Sequence, residues 1–260
     1  MQEISVIVPT KNCALPLERL LKSLENQEAR CKQIIVVDGG SVDDTLLVAQ
    51  RYGVILERGE HMAAAKNAGF RLASASAVLF LDSDMEVGPS LIRSCQSTIE
   101  ACDAACIREV VKSDNIWGRA RGWEKACYFQ TGVFEAARLF RREAFSRLGG
   151  YDERFVNSVE DIELQSRLIG SGYRLGWVTD PIIHHEEGLR FLNYISKRRG
   201  RGFFEFEKIN PKYWHEFTSP LLRARLQWKW FLDNPSALVG IYIAALNLLR
   251  LTEWVARTTA

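Results

Sequence analysis

Four apolar residues, Val78 to Leu81, run without a break into Asp82-Ser83-Asp84, and no other stretch constrains the fold as tightly. A run of this kind suits a strand buried on both faces of a parallel sheet, with the acids falling where the strand ends. Ligands of open α/β sheets sit at the carboxyl ends of the strands, so Asp82 and Asp84 should face a site. On an extended chain these two carboxylates point the same way and can together hold a hard divalent cation, one suited to neutralising a phosphate. The triplet also suits a plain turn in which Asp82 caps the next element and Asp84 is solvated.

The preceding chain repeats a strand-then-helix pattern. Ile4 to Val8 is β-rich and ends at Pro9-Thr10, and Pro16 to Asn26 then carries Leu17, Leu20, Leu21 and Leu24 at helical spacing. Gln33 to Val37 is a second strand ending at Asp38-Gly39-Gly40-Ser41, with Asp43 and Asp44 opening a helix through Leu46, Leu47 and Val48. Val54 to Glu57 predicts a third strand and Met62 to Ala73 a third helix. Alternation at this spacing predicts an α/β fold with a doubly wound, mostly parallel sheet. Neither GxGxxG nor GxxxxGK[ST] is present, which disfavours a dinucleotide or P-loop site.

Beyond Asp84, the pattern predicts a helix over Leu91 to Ile99 and strands over Ala104 to Val111, Ala136 to Phe140 and Arg174 to Val178. Asp114 to Gln130 receives no assignment. Arg142 to Leu148 is a short helix closed by Gly149-Gly150, and Tyr151 to Phe155 follows as a turn. Glu160-Asp161 opens a further helix through Leu164, Leu168 and Ile169. Acids there suit the helix dipole, which accounts for Glu163. After Asp180-Pro181 come His184 and His185. Adjacent histidines are usually unrelated to metals, yet a histidine beside two acidic clusters is what a metal site requires.

The 260 residues suffice for one large domain or one domain with an appendage. Net charge is only +2, but from Arg190 onward 12 Lys/Arg stand against 5 Asp/Glu. The alternating pattern also stops there, giving expected domains of 1–189 and a basic helical extension of 190–260. The extension holds the run Lys197 to Arg201, then Phe203, Phe204 and Phe206, and four of the seven tryptophans (Trp214, Trp228, Trp230 and Trp254). Ala237 to Leu249 is apolar but shorter than the roughly 20 residues of a spanning helix. Tryptophans and basic residues beside an apolar helix suit the surface of an anionic membrane, with a packed helix as the close alternative. The basic run reads as a solvated or membrane-facing surface and not as a nucleic-acid site. Six cysteines without CxxC spacing read as reduced thiols, and the opening residues lack signal-peptide character. The expected location is cytoplasmic, peripheral on the inner face of the cytoplasmic membrane if the extension meets lipid.

Several segments in order, VIVPTKN, VVDGGSVDDT, AAAKNAG, LFLDSDM, LGGYDERF, VEDIELQSRL and the later HH, make residues 4 to about 188 resemble the family 2 glycosyltransferases of the GT-A fold. The resemblance implies an inverting enzyme using Mn²⁺ or Mg²⁺. Pro9, Thr10 and Asp38 match positions holding the nucleoside. Lys66 stands where the family commonly has arginine, which implies a phosphate or base contact with the donor, and Asn67 matches the pattern with a structural role equally open. Asp82-Ser83-Asp84 matches the DxD motif, Asp84 ligating the metal and Asp82 reaching the ribose or metal. His184 or His185 matches a further ligand or diphosphate contact. Asp161 matches the base of the ED motif, with Glu160 as the fallback.

Sugar transfer from a nucleotide donor needs a neutralised leaving diphosphate and a carboxylate to take the acceptor's proton, and these residue types can supply both. The resemblance implies UDP, with GDP and dTDP open. Gln227-Trp228-Lys229-Trp230 does not match the QxxRW of processive members, so a single addition to a soluble or lipid-linked glycan acceptor is expected. A nucleotidyltransferase of related fold and a non-catalytic nucleotide-sugar binder are the alternatives.

Overall fold

The computed structural model describes residues 2–129, 131, 136–155, 159–186 and 220–233. Strands β1 (Ile4–Thr10), β2 (Gln33–Asp38), β3 (Ile55–Arg58) and β4 (Ala77–Phe80) alternate with helices α1 (Ala14–Glu25), α2 (Thr45–Arg51) and α3 (Met62–Leu72). There follow β5 (Met85–Val87), α4 (Leu91–Ile99), β6 (Ala104–Lys112), α5 (Ile116–Tyr128), β7 (Ala137–Arg141), α6 (Arg142–Arg147), α7 (Glu160–Gly170), β8 (Leu175–His185) and α8 (Pro220–Asp233).

The eight strands form one sheet in the order β3-β2-β1-β4-β7-β6-β8-β5. The first four are parallel, as expected. β7 runs antiparallel to both β4 and β6, and β5 antiparallel to β8, while β6 and β8 are parallel. The organising strand β4 therefore has a parallel neighbour on one side only. An apolar run reports burial of both faces and carries no information about the direction of the neighbouring chain.

Side-chain alternation along β4 divides the core. Ala77, Leu79 and Leu81 join Leu17, Leu20, Leu21 and Leu24 of α1 and the apolar side of α4 in one cluster. Val78 and Phe80 join Ala63, Ala65 and Ala68 of α3, Phe145 of α6, and Leu164 and Leu168 of α7 in the other. Helices thus cover both faces of the sheet. Gly69 lets α3 press onto the sheet, since a Cβ there would lie 2.5 Å from Ile7 Cγ2.

Sequence pattern and structure part in three places. α5 occupies the unassigned stretch. Gly118 and Gly122 interrupt its pattern, but Asn115 caps it, its Oδ1 accepting from Trp117 and Gly118 N–H at 3.0 and 3.1 Å. β5 is a three-residue strand, too short to show alternation. β8 continues seven residues past the expected end, through Asp180-Pro181 to His185. Its register with β6 jumps from Ile107↔Val178 to Glu109↔Ile182, so Pro181 lies in a bulge, where its missing N–H is tolerated. In the extension, α8 rests on α5 through a buried bond from Gln227 Nε2 to Tyr128 Oη of 2.8 Å. Lys197 to Arg201 and Ala237 to Leu249 lie outside the described residues.

Candidate active site

The strand order reverses between β1 and β4, with β2 on one flank of β1 and β4 on the other, and ligands of doubly wound sheets bind at such switch points. The register pairs Thr10 with Asp38, so the first two strands end side by side. Pro9 is buried within β1, beyond the last residue paired to β4, and shapes the strand end.

Backbone amides organise this half of the crevice. Asp38 is buried, and its Oδ2 accepts from Gly40 and Ser41 N–H at 2.9 Å each, with Gly40 at φ +82° completing the turn. Asn12 N–H donates to Ser41 Oγ, and Asn12 Oδ1 accepts from Val42 N–H, both at 2.8 Å, joining the loops after β1 and β2. Cys13 links them to the acidic triplet: its Sγ lies 2.7 Å from Thr10 Oγ1 and donates to Ser83 Oγ at 3.1 Å. A carboxylate has about four acceptor sites, so Asp38 keeps capacity for a ligand donor beyond its own turn.

Side-chain ion pairs organise the other half. Asp82 Oδ2 accepts from the Arg138 guanidinium at 2.9 Å, and the same Nη2 reaches Glu109 Oε1 at 2.7 Å. Burial would raise the Asp82 carboxyl, but Arg138 and Lys66 outweigh it and hold it down to about 2. Asp84 Oδ2 lies 3.2 Å from His184 Nε2, and on the far side of that ring Nδ1 lies 3.0 Å from Glu109 Oε2. Lys125 bonds Glu109 and lies 3.2 Å from His184 Nδ1. Against its burial, the bonds to Asp84 and Glu109 raise the His184 pKa above its ordinary value. The two histidines are thereby separated: His185 Nε2 turns instead to Glu86 Oε2 at 2.8 Å.

At the start of α7 the two acids differ. Glu160 is buried and paired with Lys66 Nζ at 2.8 Å, and Lys66 also sits 4.9 Å from the centre of the Tyr151 ring. Asp161 Oδ1 accepts from Ile162 N–H at 2.8 Å and, among the described residues, has no side-chain partner. Burial and the neighbouring Glu160 push the Asp161 carboxyl above its ordinary range, against Lys66 and Arg138. The same two cations act on Asp82, so Asp82 and Asp161 belong to one electrostatic site. Val159 precedes them at φ +67°, a left-handed conformation costly for a β-branched residue, and such strain clusters at functional sites. Asn67 is structural, its side chain bonding both N–H and C=O of Tyr151 at 2.9 and 2.8 Å.

Sequence reasoning missed Arg138, Glu109 and Lys125. A charged side chain inside the strand AARLFR was the available signal, since arginine is rarely buried unless paired.

The residues fit the divalent ion that the resemblance implies. Asp84 Oδ1 is buried without any hydrogen-bond partner, although the side chain as a whole is half exposed. A carboxylate is a suitable donor for Mn²⁺ or Mg²⁺, and an imidazole beside it favours Mn²⁺, the less strictly oxygen-seeking of the two. Among the described residues no three His, Cys, Asp or Glu side chains enclose a metal site.

The acids after β4 and at the start of α7 and the histidines ending β8 lie at this switch point of an α/β sheet of the GT-A class. Solved structures carry the same fold. S. aureus TarS 1–349 in complex with UDP-GlcNAc matches with a TM-score of 0.60 at 18% identity, over 95% of this chain and 72% of that one. The mannosyltransferase PcManGT from Pyrobaculum calidifontis, in complex with GDP-Man and Mn²⁺, matches with a TM-score of 0.60 at 21% identity, over 96% and 81%. The glycosyl transferase family 2 model matches residues 5–149, more than half of the chain, and the chain belongs to that family. The pre-mycofactocin glycosyltransferase of Mycobacterium tuberculosis (strain ATCC 25618 / H37Rv) is 28% identical over 220 residues, 76% of this chain and 45% of that protein. Validoxylamine A glucosyltransferase of Streptomyces hygroscopicus subsp. jinggangensis (strain 5008) is 36% identical over 101 residues, 35% of this chain and 24% of that protein. The chain thus spans less than half the length of these curated relatives.

Proposed function

We propose that the protein is a metal-dependent, inverting glycosyltransferase that moves one sugar from a nucleotide-sugar donor to a hydroxyl acceptor. The observation that carries this reading is the unequal state of the two acids opening α7. Lys66 pairs with Glu160, while Asp161 has no side-chain partner among the described residues and a raised affinity for protons. A carboxylate in that condition is a suitable general base.

Asp161 takes the proton from the acceptor hydroxyl as its oxygen attacks the anomeric carbon on the face opposite the nucleotide, which inverts that centre. Asp84 and His184 hold the divalent ion, which when bound neutralises charge on the departing diphosphate. Thr10, the Asp38 turn and Ser83 bind the nucleoside side of the donor. UDP is the proposed nucleotide; solved relatives hold UDP-GlcNAc in one case and GDP-Man with Mn²⁺ in another. Lys66 and Arg138 fix the positions of the acids and keep Asp82 ionised.

The extension supports an acceptor at a membrane surface, on the inner face of the cytoplasmic membrane. On α8, Arg225, Trp228, Lys229 and Leu232 are exposed at spacings that place them on one face, while Gln227 is buried against α5. That face joins two cations to an aromatic and an aliphatic side chain, which suits anionic lipid. Among the described residues no helix is long and apolar enough to cross a membrane.

Calorimetric titration with UDP, GDP and dTDP sugars, with and without Mn²⁺, tests the donor site. Metal-dependent binding of one nucleotide sugar is expected, and no binding to any would overturn the reading. Sedimentation with phosphatidylglycerol vesicles tests the surface: R225E/K229E should lose binding, and equal binding by the variant contradicts the role of α8.

A further inference from the structure

We propose that Glu109 is the positioning residue that sets both sides of the metal and diphosphate site, an inference that rests on the donor-site reading above. Glu109 lies on β6, outside every motif, and its two oxygens serve different partners. Oε1 accepts from Arg138, Nε at 3.0 Å and Nη2 at 2.7 Å, and that Nη2 also holds Asp82 Oδ2 at 2.9 Å. Oε2 faces Lys125 and His184 Nδ1, the latter at 3.0 Å, and His184 Nε2 faces Asp84 Oδ2 at 3.2 Å. One carboxylate thus orients, through Arg138, the first acid of the triplet and, through His184, the partner of the second.

The consequence turns on a single proton. His184 Nδ1 has an acceptor in Glu109 and a cation, Lys125, at 3.2 Å. Lysine only donates, so if Lys125 were the partner of Nδ1, a neutral ring would carry its proton on Nε2 and could not ligate a metal. If Nδ1–H donates to Glu109, the proton that Nε2 offers Asp84 Oδ2 in the metal-free protein is the one an ion would displace, and Nε2 is the nitrogen that meets it. Glu109 also neutralises Lys125, which removes the competing demand on Nδ1. Carboxylates that fix the tautomer of a metal-binding histidine in this way are worth about 10–100-fold in metal affinity. The bulge in β8 opposite Arg108 restarts the β6–β8 register at Glu109↔Ile182 and Val111↔His184, which places the histidine opposite the residue two along β6 from Glu109, on the same face of the strand.

The test measures Mn²⁺ alone, by electron paramagnetic resonance of the free ion, in the wild-type protein, Glu109→Gln and Glu109→Asp. Glu109→Gln should bind Mn²⁺ about 10–100-fold more weakly, and Glu109→Asp should recover part of the loss. Undiminished Mn²⁺ affinity in a folded Glu109→Gln would overturn the proposal, and wild-type protein that binds no Mn²⁺ would overturn the metal-site reading beneath it. Should Glu109→Gln fail to fold, ¹⁵N-histidine NMR of the metal-free wild type decides, with the His184 signals assigned by their loss in His184→Gln. A protonated Nδ1, with Nε2 shifting on addition of Mg²⁺, supports the role; an unprotonated Nδ1 overturns it.

Discussion

The two halves of the crevice are built from different materials. Around β1 and β2, the loops are held by uncharged partners, mostly main-chain amides, as Asp38 is held by Gly40 and Ser41 and Asn12 by Val42. Around β6, β7 and α7, charges are satisfied by other charges distant in sequence: Lys66 with Glu160, Arg138 with Asp82, Glu109 with Lys125. The first construction is a rigid cradle that tolerates exchange of one contact. The second is a charge network in which removing one partner strands another inside the protein. Stability and charge placement are therefore more tightly coupled on the α7 side than around β1 and β2.

Substitutions can break this contrast. The largest effect should come from Asp161→Asn, which removes the proposed base while leaving the proposed donor cradle intact: a loss of about 10²–10⁴ in kcat with donor affinity retained, read by product formation beside calorimetry. Lys66→Met should follow, since it leaves Glu160 buried and uncompensated, costing about 3–5 kcal/mol in urea unfolding. Around β1 and β2, Asp38→Ala should cost less, about 1–3 kcal/mol, because only uncharged donors, the amides of Gly40 and Ser41 and the Ser41 hydroxyl, lose their acceptor. Equal destabilisation by the last two would erase the distinction.

The pH dependence sharpens the comparison further. Because Asp161 is held above the ordinary carboxylate range, transfer should fall as pH drops through that raised value, at higher pH than an exposed aspartate would give. For stability the sign reverses. A group whose folded pKa is raised contributes most when protonated, and that contribution is lost as pH rises through the folded value. Asp161→Asn should therefore be more stable than wild type at neutral pH, by a margin that shrinks on acidification, measured as the difference in Tm between pH 7 and pH 4.5.

Legibility from sequence followed the same division. The four parallel strands with their helices, the ends at Thr10 and Asp38, and the acids after β4 were readable because periodicity and turn chemistry are local. The αL glycines Gly149 and Gly150 also announced their turn, adopting φ of +80° and +73°. Arg138 and Glu109 were not readable as a pair, because a long-range ion pair leaves no spacing in the chain. Nor could sequence choose between His184 and His185; the β5–β8 pairing and the bulge at Pro181 decide which ring meets Asp84. α5 was hidden by its own glycines, and the antiparallel β7 by the fact that burial is blind to strand direction.

The central claim is that Asp84 serves donor binding through a metal while Asp161 serves proton transfer, and one calorimetric experiment addresses it most directly. The donor selected from the nucleotide-sugar panel is titrated, with Mn²⁺ present, into Asp84→Ala and Asp161→Asn side by side. The predicted result is that Asp84→Ala loses metal-dependent binding and Asp161→Asn binds like wild type. Equal loss of binding in both variants would contradict the division of roles.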